Sequence, residues 1–170
     1  MSQLFFKIEK IRAIYEILWG KNKEAISHLG KDIQDTISYT LLYAFLDNLN
    51  EVFAPEKSKS SGTTLYKLIK FMEEHKGSQS EEIAYGIMLM IYEYENDIKS
   101  IARDRLKPLR NKLLVHLDKN SNEELVKENQ RICDYTVDYS CFRTLMIFAE
   151  DVVKFTRIME KRENEASSSD

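Results

Sequence analysis

Apolar residues recur three and four positions apart along almost the whole chain, which is the spacing of one buried face of an α-helix. Leu4, Ile8, Ile11, Tyr15 and Leu18 form the first stripe, and Gly20 closes it as a C-terminal stop. A short helical turn follows around Lys23 to Leu29. From Lys31 the positions Ile33, Ile37, Leu41, Phe45, Leu49 and Val52 keep one face apolar over about six turns, and Pro55 ends the run. This second helix is expected at the centre of a bundle.

The polar stretch from Glu56 to Gly62 reads as a loop, after which Thr63 caps a short helix carrying Leu65, Leu68, Ile69 and Met72 and ending near Gly77. Ser80 opens a longer helix through Ile83, Ile87, Met90, Ile91, Tyr94, Ile98 and Ala102, which Pro108 kinks or restarts. Ser121 and Glu124 form a capping box. The last helix, from about Ile132 to Met159, carries Tyr135, Tyr139, Phe142, Met146, Ala149, Val153 and Phe155. The Met and aromatic stripes are read as core. Residues 1–160 are expected to form one all-α domain, an up-and-down bundle of four main helices with short extra ones, and 161–170 a disordered tail.

Composition sharpens this picture. Only 5 Gly and 2 Pro occur in 170 residues, and no Asn-Gly or Asp-Gly hairpin signal is present. A chain of this length buries an adequate core without metals or disulfides, so stability calls for no cofactor. Cys133 and Cys141 lie about 12 Å apart along one helix, too far for a disulfide, and read as small buried residues in a reducing compartment. The first ten residues carry Lys7, Glu9 and Lys10 and do not resemble a secretory signal. Ile83 to Tyr92, the longest apolar run, is about half a membrane span. A soluble, cytoplasmic protein with no membrane partner is expected.

Some chemistry is excluded by spacing. A carboxylate-bridged di-metal bundle needs Glu-x-x-His pairs, but Ala25, Met72 and Leu113 stand three residues before His28, His75 and His116. Three scattered histidines and no Cys-His cluster offer no metal site. His75, at a helix C-terminus, and His28 are read as structural.

Charge is concentrated in one place. Between Lys99 and Lys119, seven cations face only Asp104 and Asp118, a charge of +5 in a chain whose total is −3, leaving −8 elsewhere. Such a run is either a solvated helix face or a phosphate-recognising groove in which Arg103, Arg105, Lys107 and Lys112 contact RNA. Within it, Leu106, Leu109, Leu113 and Leu117 make a buried stripe with Arg110 and His116 on its two shoulders. Those two are about 9 Å apart along the axis and about 120° apart around it. A phosphate fits between them, or a second subunit completes the geometry.

The segment Leu106-Lys-Pro-Leu-Arg110-Asn111-Lys-Leu-Leu-Val-His116-Leu-Asp-Lys119 resembles the Arg…His motif of the HEPN superfamily, in which the two residues stand four to six apart on a helix late in an all-α bundle. Residues 15 to 48, the polar loop and Leu65 to Glu74 are similar to its AbiU-like branch, named for phage abortive infection. The resemblance spans most of residues 10 to 120. It implies a metal-independent endoribonuclease of phage defence, or a toxin, that works as a homodimer. His116 would move the proton. Arg110 would stabilise charge growing on the phosphoryl oxygens. Asn111 would orient either the histidine or the phosphate.

Two further readings stand beside it. One is a non-catalytic HEPN-like module that binds RNA or nucleotide, or pairs with a partner protein such as an antitoxin or a nucleotidyltransferase. The other is a bundle in which Arg110 and His116 are structural. The spread of Leu106, Leu109, Leu113, Leu114 and Val115 over the motif helix also predicts a homodimer interface including Pro108 to Leu117.

Overall fold

The computed structural model describes residues 2–54, 64–75, 80–107, 109 and 140–167, and all regular structure among them is helical. Helix α1 spans Ser2–Leu18, a single 3-10 turn Lys23–Ile26, α2 Lys31–Val52, α3 Leu65–His75, α4 Glu81–Glu93 and α5 Ser140–Ser167. Between α4 and Lys107 the rod continues as a π-turn at Tyr94–Ile98, one α-turn at Lys99–Ile101 and a second π-turn at Ala102–Leu106. The helices pack together as an all-α bundle. Helix α1 lies chiefly on α2 and also touches α5, while α3 bridges α4 and α5.

The expected stripes build this core. Leu4, Ile8, Ile11 and Leu18 of α1 are buried, with Ile14 beside them and Tyr15 half-buried. Phe45 on α2 is fully enclosed, edge-on to Trp19 at 5.2 Å and to Phe142 at 6.3 Å, so one aromatic cluster joins α1, α2 and α5. Such pairs contribute about 0.5–1.5 kcal/mol each beyond their burial. Across the bundle, Thr156 of α5 donates to the Val152 carbonyl at 2.7 Å and to Met72 Sδ of α3 at 3.6 Å. Cys141 is buried, as its reading as a small core residue requires, whereas Cys133 lies outside the described residues.

Local differences from the sequence reading have physical reasons. Ile33 is 54% exposed, because burial along α2 begins only at Leu42 and its first turns serve the preceding loop instead. There Gln34 Nε2 donates to the carbonyls of Ser27 and Leu29. Thr63, the expected cap of α3, lies outside the described residues; Thr64 stands directly before the helix, and its Oγ1 accepts from the Lys67 amide at 3.4 Å while the residue itself is buried. The stretch expected as a tail is helical as far as it is described. Helix α5 runs on through Ser167, past Lys161, which pairs with Glu165 at 3.8 Å, and Arg162, which reaches Glu82 of α4 at 3.6 Å.

At the other end of α1, Gly20 is required by a close approach. A side chain there would meet the Glu16 backbone and carboxylate, which fold over the exit of the helix to accept from the Lys21 amide at 3.0 Å. Helix α4 is seated equally tightly on α5, since a Cβ on Gly86 would lie 2.6 Å from Cζ of Phe155.

Candidate functional site

The basic segment begins on the rod that leaves α4, and that rod is held by its apolar side. Tyr94, Ile98 and Leu106 are buried and Leu109 packs against the core at its edge. Tyr94, Ile98 and Leu106 fall on steps of four residues, counting half-buried Ala102 between them. Four residues of α-helix overshoot a full turn by about 40°, so three such steps carry a stripe well off the core. The two π-turns remove that drift: Lys99 N–H bonds to the Tyr94 carbonyl and Lys107 N–H to the Ala102 carbonyl, each five residues back. π-turns inside helices are frequent at functional sites. Here the pair fixes which way the rod presents its cations.

Tyr94 is the most enclosed polar side chain of this stretch. Burial, then the neighbouring Glu95 and Tyr66, push its phenol up to about 12. Its ring meets Tyr66 of α3 at 6.3 Å and Phe148 of α5 at 6.1 Å, which ties the first π-turn to both helices.

Of the expected RNA contacts, Arg103, Arg105 and Lys107 are described, and all three are exposed on the solvent side of the rod. Arg103 differs from the others. Its guanidinium is engaged in a two-pronged contact with Asp104, Nε to Oδ1 at 2.7 Å and Nη2 to Oδ2 at 2.9 Å. That bond holds the Asp104 carboxyl below its ordinary value and raises the guanidinium's. Asp104 holds the Nε edge of the Arg103 guanidinium, which leaves the Nη1 side for any other acceptor. Further back, Lys99 pairs with Glu95 at 3.0 Å, one turn away. Arg105 and Lys107 therefore present the positive charge nearest the motif. Arg110, Asn111, Lys112 and His116 lie outside the described residues, as does the expected interface from Pro108 to Leu117.

Among the described residues, His75 and His28 stand apart from the basic rod. His75 ends α3 with Nδ1 2.8 Å from the Phe71 carbonyl and its ring 4.1 Å from that of Phe71, a structural arrangement in keeping with its sequence reading. His28 is exposed. Among the described residues no three His, Cys, Asp or Glu side chains gather to hold a metal ion, and no described helix is long and apolar enough to cross a membrane.

One feature was not read from sequence. An open cavity of about 330 Å³ lies where α1, the 3-10 turn and α2 meet, lined by Trp19, Lys23, Ser27, Gln34, Asp35 and Ser38 among others. Its only sequence signal is the polar, helix-breaking stretch between Gly20 and Lys31.

Set against known protein families, curated proteins and solved structures, the chain matches none. The likeness to the HEPN superfamily thus rests on the motif residues and the upstream pattern quoted above.

Proposed function

We propose that the protein is a metal-independent endoribonuclease of HEPN type, acting in phage defence or as a toxin. The observation that carries this reading is the motif itself, Arg110-Asn111 followed by His116, placed directly after a rod whose inner side is locked by Ile98, Leu106 and Leu109 and whose outer side exposes Arg105 and Lys107. Cations on such a rod attract the sugar-phosphate backbone without reading its sequence.

The chemistry follows from the residue types. The 2′-oxygen of a ribose attacks the adjacent phosphorus, the bond to the 5′-oxygen breaks, and a cyclic phosphate and a 5′-hydroxyl end remain. His116 takes or gives the proton, because imidazole titrates near neutrality. Arg110 meets the charge gathering on the phosphoryl oxygens with a planar fork that stays protonated. Asn111 orients one of the two. One imidazole does not serve as base and leaving-group acid at once, so two copies of the motif, brought together by a homodimer, supply both.

Purified protein incubated with total RNA in EDTA tests this. Cleavage with cyclic-phosphate ends, lost in His116→Ala, is expected. Strict dependence on added Mg²⁺ or Mn²⁺ overturns the mechanism. Cleavage unchanged in His116→Ala overturns the assignment and leaves a module that binds RNA, nucleotide or a partner such as an antitoxin or nucleotidyltransferase.

A further inference from the structure

Helix α4 is apolar on two opposite sides. Ile83 and Ile87 point into the core, Gly86 abuts Phe155, and on the far side Tyr85, Met88, Leu89 and Tyr92 are 64%, 58%, 50% and 70% exposed. Their spacing of three, one and three residues puts all four within about 100° of arc, centred opposite the core-facing stripe. Together they leave on the order of 500 Å² of contiguous side-chain surface, near the top of the range for a monomer's largest patch. A helix apolar all round is normally covered on both sides.

We propose that this stripe is covered by the same stripe of a second copy, with the two α4 helices antiparallel about a two-fold axis between Met88 and Leu89. The sequence of the stripe is symmetric about that point. Tyr85 of one copy meets Tyr92 of the other and Met88 meets Leu89, so each end of the stripe finds its own complement, as an isologous contact requires. Two such faces bury about 1,000 Å² in total, the lower bound for a specific interface, with two Tyr pairs of the kind that dominate interface energetics.

The self-complementary order of the stripe sets the antiparallel direction. Antiparallel pairing puts Glu81 level with Asn96 and Glu82 level with Glu95 of the other copy, and each of the two facing carboxylates already has a cation beside it, Arg162 at 3.6 Å from Glu82 and Lys99 at 3.0 Å from Glu95. Parallel pairing stacks Glu81, Glu82, Glu93 and Glu95 on their own copies.

This contact is independent of the ribonuclease reading. Lys107 lies about 28 Å along the rod from the axis, so α4 pairing sends the two motif-bearing ends apart and leaves them to a different contact.

Sedimentation velocity on the full chain from 1 to 100 µM, beside Tyr85→Glu and Tyr92→Glu, tests the proposal through mass rather than cleavage. A native dimer is expected, with each substitution raising its dissociation constant at least tenfold while far-UV circular dichroism and melting stay native, since both side chains are exposed in the monomer. If the motif ends also pair, the native species is a tetramer and the variants halve it, which supports the proposal equally. A native monomer at 100 µM, or an assembly unmoved by both substitutions, overturns it. Direction is read by a short bis-maleimide linker against the wild-type background. Tyr85→Cys mixed with Tyr92→Cys gives linked dimers and Tyr85→Cys alone does not; the reverse pattern overturns the antiparallel arrangement.

Discussion

The ring of Tyr94 stacks on that of Phe148, with centroids 6.1 Å apart and planes inclined by 24°. Through this contact the first π-turn is clamped to α5, and the basic rod inherits its direction from the bundle core. The phenol is pushed up to about 12, so the neutral form is favoured in the folded state. Its contribution to stability is whole below the ordinary value of 10.0 and is lost as the pH rises through about 12. In an ultraviolet titration one of the nine tyrosines should ionise late, and Tyr94→Phe should remove that late step. A titration unchanged by Tyr94→Phe contradicts the buried phenol.

Gly86 and Phe155 should be coupled. Gly86→Ala gains about 1 kcal/mol of helix propensity but drives its Cβ against the Phe155 ring, a strain of about 1–3 kcal/mol. Alone it should lower stability. In a Phe155→Ala background, where the ring is gone, the same substitution should raise it by about 1 kcal/mol. Denaturant melts of the four proteins measure this reversal of sign, and simple additivity refutes the close approach.

Glu150 on α5 carries a buried Oε1 with no hydrogen-bond partner, 3.8 Å from Arg12 Nε of α1, while Lys154 stands 3.7 Å from its other oxygen. The desolvation of such a carboxylate is incompletely offset. Glu150→Met should therefore be neutral or stabilising by up to about 1 kcal/mol, whereas Arg12→Met, which leaves the carboxylate with less compensation, should cost about 1 kcal/mol. Thermal melts that rank the two variants the other way reject this account.

Most of the fold was legible because stripes spaced three and four apart admit one regular solution, and Phe45, Leu49, Ile87 and Val153 are buried where that solution puts them. The π-turns were not legible. Tyr94, Ile98, Ala102 and Leu106 each follow the last by four residues, which reads as α-helix until the accumulated drift is weighed against a fixed core. Ile33 misled because periodicity marks an apolar face without saying whether a neighbour stands opposite. The outer stripe of α4 showed in the sequence only as part of the apolar run from Ile83 to Tyr92. The candidate site is a charge run and a motif in the sequence, of which only the exposed Arg103, Arg105 and Lys107 fall among the described residues. That Arg103 is engaged by Asp104 was not legible, since adjacent helical residues do not ordinarily face each other.

RNA binding should separate the cations. Arg105→Ala and Lys107→Ala should each weaken affinity across sequences and reduce the slope of log affinity against log salt by about one. Arg103→Ala should do less, because Asp104 already holds one edge of its fork. Fluorescence anisotropy at several salt concentrations gives all three slopes, and an equal effect of Arg103→Ala removes the distinction.

The two motif residues should fail differently from structural ones. Arg110→Lys keeps a charge but loses the planar fork, at a cost of about 2–4 kcal/mol in transition-state stabilisation. His116→Ala should lose about 10²–10⁴-fold in cleavage rate. Both should melt near the native temperature. Loss of stability in place of cleavage marks the pair as structural.

Each π-turn closes its hydrogen bond over one residue more than an α-turn does, and this makes the aim of the rod a matter of counting. Relaxing Tyr94–Ile98 to α-turns at unchanged length would swing everything downstream about the axis, so that Leu106 would leave the core and the cations would rotate toward it, with no side chain of the motif altered. Delete one residue from the same segment and the ring shrinks to an ordinary turn that absorbs the loss, leaving Leu106 and the cations near their original azimuth. The extra residue and the wide turn thus offset each other, and a substitution scan, which preserves length, is blind to the pairing.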